Sequence, residues 1–575
     1  VKPEQTVECT SAGNCYSEFG GDDPLVEDDN QVIVTVSSPV TGVNMGFNFE
    51  IIVNTNDSGQ GSLRQFIQNS NAIAGPNLSR FMIPDTDPGY NSTVGYWKIT
   101  LQSQLPAIQD DGTDLNGFEQ INYALGQGYT VNSNSRNGWT LPYGPPILIS
   151  SDGNWALSPN TGVITIQSDD NFVRWIAISG FIYTGFPTAS GIRIDSGTSN
   201  NTVEYCYIGT DPTGESVILI PNAPAYFNND VYGNTEMDGI YIRDSTNNTI
   251  AHNLVSGNGY TSSDWDWRGG RGIVISRSPT APSIDGNNLI EDNYVGVNRL
   301  GTDAIHLPIS PTPFQPGNVW EGILVYGSID NNTLRNNLVS GNGWWGIFVY
   351  SSDNNTIEGN LIGTQADGSS SLPGGCGNGA YGIIIGTDDW NNPVYAASDS
   401  NIVDGNTIAY NGCIFDGSHP YGYDFTDGIF VSGESINNEI RNNEIFSNKG
   451  HGIHLYGLYQ SGGTYYVPRD NTIEGNYIYS NEGDGIYFEG GSGAEITGNW
   501  IKGNYIGLDS GGNPAGNSGN GVSLIYSDNN TIGTNGDGTN DSQEGNVISH
   551  NQGNGIYLSY SNNNWIAGNK IGTDI

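Results

Sequence analysis

One short pattern recurs along most of this chain and leaves few folds open to it. Its cleanest copy runs Asn354-Asn355-Thr356-Ile357-Glu358-Gly359-Asn360-Leu361-Ile362-Gly363-Thr364. Asn248-Thr249-Ile250 leads in the same way to Asn253-Leu254-Val255, and Asn471-Thr472-Ile473 to Asn476-Tyr477-Ile478. Gly-Ile or Gly-Val pairs alternate with these copies, as at Gly239, Gly322, Gly346, Gly382, Gly452 and Gly521. Repeats spaced by roughly 20 to 50 residues mark an array of stacked units. Each unit holds three short strands, Gly-Ile, Thr-Ile and Asn-X-Ile, joined by turns. Stacking the units buries the Ile and Val columns in one core and leaves strand edges only at the ends. The Asn columns suit amide ladders at the strand spacing of about 4.8 Å and tolerate left-handed turns.

The expected fold is therefore all-β: a parallel β-helix of about 12 or more three-strand coils. Residues 166–575 form its regular part, open to continuation in a longer precursor, and 50–165 its cap and first irregular coils. The 82 glycines follow no every-third-residue period, which excludes collagen. No apolar run approaches the roughly 18 residues of a membrane span, so no membrane insertion is expected. A formal charge of −42 repels nucleic acid and anionic surfaces and suits a solubilising extracellular or cell-surface exterior.

Two stretches carry a family resemblance. Val53 to Ala72 includes Ser62 as an N-cap, with Leu63, Phe66 and Ile67 on one face of a short helix. This stretch resembles the entry motif of CSLREA-type right-handed β-helix proteins, a group of large secreted or surface proteins. The resemblance implies a right-handed, pectate-lyase-like coil closed by that helix from about residue 50 onward, and says little about activity. Residues 1–49 form a separate β segment, in which Val32–Val36 and Val40–Phe49 resemble the last strands of Cna-B or prealbumin-like β-sandwiches. Residues 102–145 read as an excursion loop.

Chemistry is sought where the repeat leaves residues free. The position before each Gly-Ile runs Asp238, Arg271, Glu321, Trp345, Tyr381, Asp427, His451, Asp484, Asn520 and Asn554. Asp427, His451 and Asp484 make a candidate catalytic trio, with His451 as base or acid. Asp238 opposite Arg271 reads as a salt bridge. Aromatic side chains on the same face, Trp345, Phe348, Tyr350, Tyr381, Phe430, Tyr456 and Tyr487, allow two readings. One is a glycan groove. The other is an apolar strip covered by loops, a domain or another copy. Asp264 and Asp266, among Trp265, Trp267, Arg268 and Arg271, offer oxygen ligands for Ca²⁺, or belong to a loop whose Trp rings cap the strip. No cofactor is otherwise required.

Sequons begin at Asn56, Asn77, Asn91, Asn200, Asn247, Asn331, Asn354, Asn529 and Asn540, several as by-products of the repeat. Cys9 with Cys15, and Cys376 with Cys413, are candidate disulfides, and Cys206 replaces a repeat Asn. The chain begins at Val1 and stops in mid-coil, so a longer precursor or end-to-end pairing is expected. Two functions remain open. One is a structural or adhesive surface module that self-associates through coil ends or the apolar face and contacts glycan. The other is a secreted polysaccharide lyase or glycoside hydrolase.

Overall fold

The computed structural model describes residues 50–572 except 152–156, 183–188, 219–233, 236, 262–266, 269, 279, 306–316, 388–396, 414–425 and 461–463. The segment 1–49, with its two strand expectations, lies outside the described residues.

The repeat winds into three parallel sheets. Among the described residues the Gly-Ile, Thr-Ile and Asn-X-Ile sheets hold 12, 14 and 15 strands, the last including Tyr90–Asn91, which alone pairs antiparallel, with Tyr96–Thr100. One coil shows the logic. Ile347–Tyr350, Thr356–Glu358 and Leu361–Ile362 lie in the three sheets in turn, and Ile383–Ile385 opens the next coil. Register places Ile347 on Ile383, Ile357 on Val403 and Ile362 on Ile408. The same apolar columns continue, all buried, in one core cluster from Ile52 to Ile548. On the last described coil the column residues Leu558, Ile566 and Ile571 are exposed.

Corners demand particular residues. The first Asn of each pair turns the chain in the left-handed region, as at Asn354 (φ 57°) and Asn529 (φ 56°). Gly363 (φ 89°) has no room for a side chain, since a Cβ there would sit 1.9 Å from the Ala409 carbonyl oxygen one coil on. Gly382, the glycine of a Gly-Ile pair, would push a Cβ to within 2.6 Å of the Gly428 oxygen and 2.7 Å of Ile408. The backbone there approaches the core too closely for any other residue.

The second Asn of each pair is a buried rung. Asn355 Nδ2 donates to Asn401 Oδ1 (2.9 Å) and the Asn355 backbone N–H to the same oxygen (2.8 Å). The Asn-X-Ile position repeats this at Asn360 and Asn406. A third ladder, unforeseen, runs through Asn258, Asn318, Asn342, Asn378, Asn411, Asn448, Asn481, Asn517 and Asn551. Cys206 stands at the head of the second ladder, fully buried, its N–H donating to Asn253 Oδ1. Burial pushes its thiol up to about 12.

At the start, Ser62 caps the helix Leu63–Ser70, accepting from the Gln65 N–H, and Leu63, Phe66 and Ile67 plug the core. The excursion-loop reading of 102–145 needs correction. Thr113–Asn116 is a strand of the Thr-Ile sheet, and Phe118–Gln127 is a helix ending at Gly128 (φ 74°). Buried Ile121 and Ala124 lie on its inner face. Residues 129–146 then pack Trp139 against buried Tyr207, Leu254, Leu148 and Ala177 on the outer face of the Asn-X-Ile sheet.

Cys376 and Cys413 are bridged, with Cα atoms 5.7 Å apart across 37 residues, whereas Cys9 and Cys15 lie outside the described residues. Replacing both bridging cysteines by serine should cost about 2–4 kcal/mol. Denaturant titration of the double variant checks this, and an unchanged midpoint would show that the bridge contributes nothing.

Candidate functional site

The column before Gly-Ile is a ladder wherever it carries an acceptor side chain that reaches the next coil, from Asp238 to Arg271 and from Asp427 to Asn554. Asp238 Oδ1 accepts from the Arg271 N–H (2.9 Å), Asp427 Oδ1 from His451 N–H (2.6 Å) and His451 Nδ1 from Asp484 N–H (2.8 Å). Asp484 Oδ1 accepts from Asn520 N–H (2.5 Å), and Asn520 Oδ1 from Asn554 N–H (2.6 Å). An acceptor side chain at this position satisfies the backbone donor one coil on, which would otherwise be buried unmet. This corrects the catalytic trio. Asp427 and His451 are brought together, but the Asp484 carboxylate is turned onto the following coil. His451 meets only the Asp484 backbone.

The residue that completes the centre is His454, three positions after His451 and given no role by the repeat pattern. It stands in register between Phe430 and Tyr487. Its Nδ1 lies 2.9 Å from Asp427 Oδ2, and its Nε2 lies 3.5 Å from Glu489 Oε2. The second contact is an ion pair rather than a hydrogen bond, and Nε2 has no hydrogen-bond partner among the described residues. Burial by itself lowers the pKa of His454, but Asp427 and then Glu489 outweigh it and raise it to about 9. The ring is an imidazolium at neutral pH. Burial lowers the pKa of His451 and the charge of His454 adds to this, against Asp427 and Asp484. A neutral His451 that accepts at Nδ1 carries its proton on Nε2.

Aromatic rings wall the centre. Tyr487 stacks on His451 (centroids 4.4 Å), and Phe430 meets His454 edge-on (5.2 Å). Burial first, then Glu489, raise the Tyr487 phenol. Asp427 is 2% exposed with both oxygens engaged, so it holds His454 and does not face solvent. Glu489 is the open carboxylate, its side chain 41% exposed. The signal in the sequence was His451-Gly452-Ile453-His454, two of the six histidines within four residues.

A second charged group lies toward the N-terminal coils. Arg271 Nη1 is 3.6 Å from Asp238, its Nε is 2.9 Å from Glu321, and its guanidinium covers the Trp320 ring at 4.7 Å. The expected pair is thus a triad. Burial raises the Glu321 carboxyl against the opposing pull of Arg271.

Between these groups lie the aromatic residues proposed for glycan contact or assembly. Trp345, Phe348, Tyr350, Tyr381 and Phe430 are buried within the single chain. Trp345 packs on Phe348 (4.8 Å), Tyr381 stacks on Phe430 (4.6 Å) and Tyr326 on Tyr350 (5.2 Å). Rings one coil apart close over one another and over Val274, Leu324 and Ile384. These five therefore present neither an open sugar platform nor an apolar face to a second copy. Tyr456 and Tyr487 remain half-exposed.

Asp264 and Asp266 lie outside the described residues. Of the sequons, Asn77 is buried, with Nδ2 donating to the Ile73 and Gly75 carbonyls and to Asp110, and cannot carry a glycan. Asn56, Asn200, Asn247, Asn354, Asn529 and Asn540 are exposed, and Asn91 and Asn331 half-buried. No helix among the described residues is long and apolar enough to cross a membrane.

Solved structures of similar fold include the A-module of Azotobacter vinelandii mannuronan C-5 epimerase AlgE6, at 13% identity over 91% of this chain and 98% of that one, TM-score 0.45. The Dettilon tailspike protein matches at 15% identity over 76% and 64%, TM-score 0.40. Alginate lyase AlyF-OU02 matches at 12% over 90% and 88%, TM-score 0.38. The profile of the family described as right handed beta helix region matches residues 149–309 and 318–461. With three parallel sheets wound as coils and more than half its length matched, the chain belongs to the right-handed β-helix family.

Proposed function

We propose that this chain is an extracellular structural β-helix module that contacts glycan at the Tyr456–Tyr487–Glu489 edge of the Gly-Ile sheet. One observation carries the reading: an exposed carboxylate, Glu489, is held against a buried imidazolium, His454, between two half-exposed tyrosines. A fixed acceptor beside aromatic rings is suited to sugar hydroxyls and ring faces. The Cys376–Cys413 bridge supports an oxidising compartment. The Ser62-capped helix supports the CSLREA-type resemblance. Glu489→Gln should weaken binding about tenfold, the loss of one charge-assisted contact. Affinity electrophoresis against a panel of neutral and acidic polysaccharides measures it. Retention of every glycan by the variant would sink this reading.

A second reading, a secreted polysaccharide lyase or hydrolase, is favoured by the convergence of His451, His454 and Glu489 as proton-transfer groups in one place. New chain ends released from the same panel, and lost in both His454→Gln and Glu489→Gln, would select it over binding alone.

A further inference from the structure

We infer that the centre formed by His454, Glu489, His451 and Asp427 is a binding site for a divalent transition metal of the zinc class. Asp427, His451 and His454 each place one possible ligand atom within 4.8 Å of the others, and since both Asp427 oxygens are already engaged, Asp427 orients the site while Glu489 offers the free carboxylate. The geometry at His454 is more telling. Asp427 Oδ2 on Nδ1 fixes the ring and leaves Nε2 as the ligand nitrogen, the carboxylate–histidine arrangement that orients metal ligands. Nε2 is buried with no hydrogen-bond partner, and Glu489 Oε2 stands 3.5 Å from it. Ligand bonds of about 2.0–2.1 Å in a tetrahedron set neighbouring ligand atoms about 3.3 Å apart. Nε2 and Oε2 are already near that separation.

His451 supplies the third ligand. Its ring centroid lies 5.3 Å from that of His454, and it joins through Nε2 or, by surrendering the Asp484 N–H, through Nδ1. Binding displaces the proton on His454 Nε2 into solvent and puts a dication beside Glu489 in its place, while Asp427 keeps the Nδ1 proton. Two imidazoles and a carboxylate suit zinc or cobalt, whereas Ca²⁺ takes about 6–8 oxygen ligands, which these residues do not provide. This metal site shares Glu489 and His454 with the proposed glycan edge, and a metal titration carried out without sugar reads it separately from that proposal.

The test uses the full chain without a histidine tag, stripped with chelator. Zn²⁺ is titrated by calorimetry, and Co²⁺ is followed by its visible absorption. One equivalent of each is expected, with the intense bands of tetrahedral cobalt. Glu489→Gln, a substitution at a part-exposed side chain, should weaken Zn²⁺ at least about tenfold, and His454→Gln should abolish it. Circular dichroism confirms that both variants fold. Absence of stoichiometric binding in the unaltered chain overturns the inference, as does an affinity in both variants unchanged from that of the unaltered chain. Ca²⁺ bound as tightly, and lost in the same variants, overturns the metal class.

Discussion

Asn443→Ala is expected to destabilise the protein by about 2–4 kcal/mol, as the loss of a buried rung that leaves a backbone donor unmet. The Asn443 carboxamide accepts from the Asn406 N–H (2.9 Å) and from Asn406 Nδ2 (3.0 Å). Its own Nδ2 donates to the Val403 carbonyl and to Asn476 Oδ1, both at 2.9 Å. Alanine leaves the buried Asn406 N–H without its acceptor and takes one bond each from Asn406 Nδ2, the Val403 carbonyl and Asn476 Oδ1, of which Asn406 Nδ2 keeps the Ile357 carbonyl and Asn476 Oδ1 keeps the Asn443 N–H. It also interrupts the rung between two neighbours that remain polar. Denaturant melts with urea would show the loss. A change below about 1 kcal/mol would mean that ordered water replaces the amide.

The second large effect is tied to pH. His454 has an ordinary pKa of 6.5 that the fold raises to about 9. A group raised in this way binds its proton more tightly when folded. Its contribution is complete below pH 6.5 and declines as pH rises toward 9. The size is about 3 kcal/mol. In chelator-containing buffer the unaltered chain should therefore be more stable at pH 6 than at pH 8.5. Asp427→Asn keeps the shape and an acceptor for the His451 N–H but removes the charge facing Nδ1. The variant should be destabilised mainly at pH 6, and the difference between the two pH values should shrink. An identical pH profile in both proteins would show that Asp427 does not hold His454 charged.

The architecture was legible because its determinants are periodic. Ile357 and Ile362 fall in columns whatever the intervening loops do, and Asn355 and Asn360 advertise their rungs by recurring beside them. The third ladder escaped notice because its members, such as Asn342 and Asn378, sit in glycine-rich returns that read as turns. The helix Phe118–Gln127 escaped because Gly126 and Gly128 close to its end break the pattern of good helix formers.

The site was legible only as a position. The residue before Gly-Ile could be followed down the chain, but its hydrogen-bonding direction could not. Asp484 was therefore assigned to a group that its backbone alone joins. Burial at outward positions depends on loops between coils and on which rings interlock. Phe348 and Phe430 thus read as a strip in need of cover, without showing that rings of the same chain supply it.

The ladders also give the stack a grain. In the asparagine columns the N–H of one coil is met by the side chain of the coil after it, as Asn476 is by Asn504 (2.9 Å). In the column before Gly-Ile the sense reverses, and the His451 N–H is met by Asp427 of the coil before (2.6 Å). Asn476 and His451 lie on the same coil and look opposite ways. Loss of the following neighbour bares the first amide proton, and loss of the preceding neighbour bares the second. The two protons thus form a built-in pair of reporters, telling from which side a coil has been peeled.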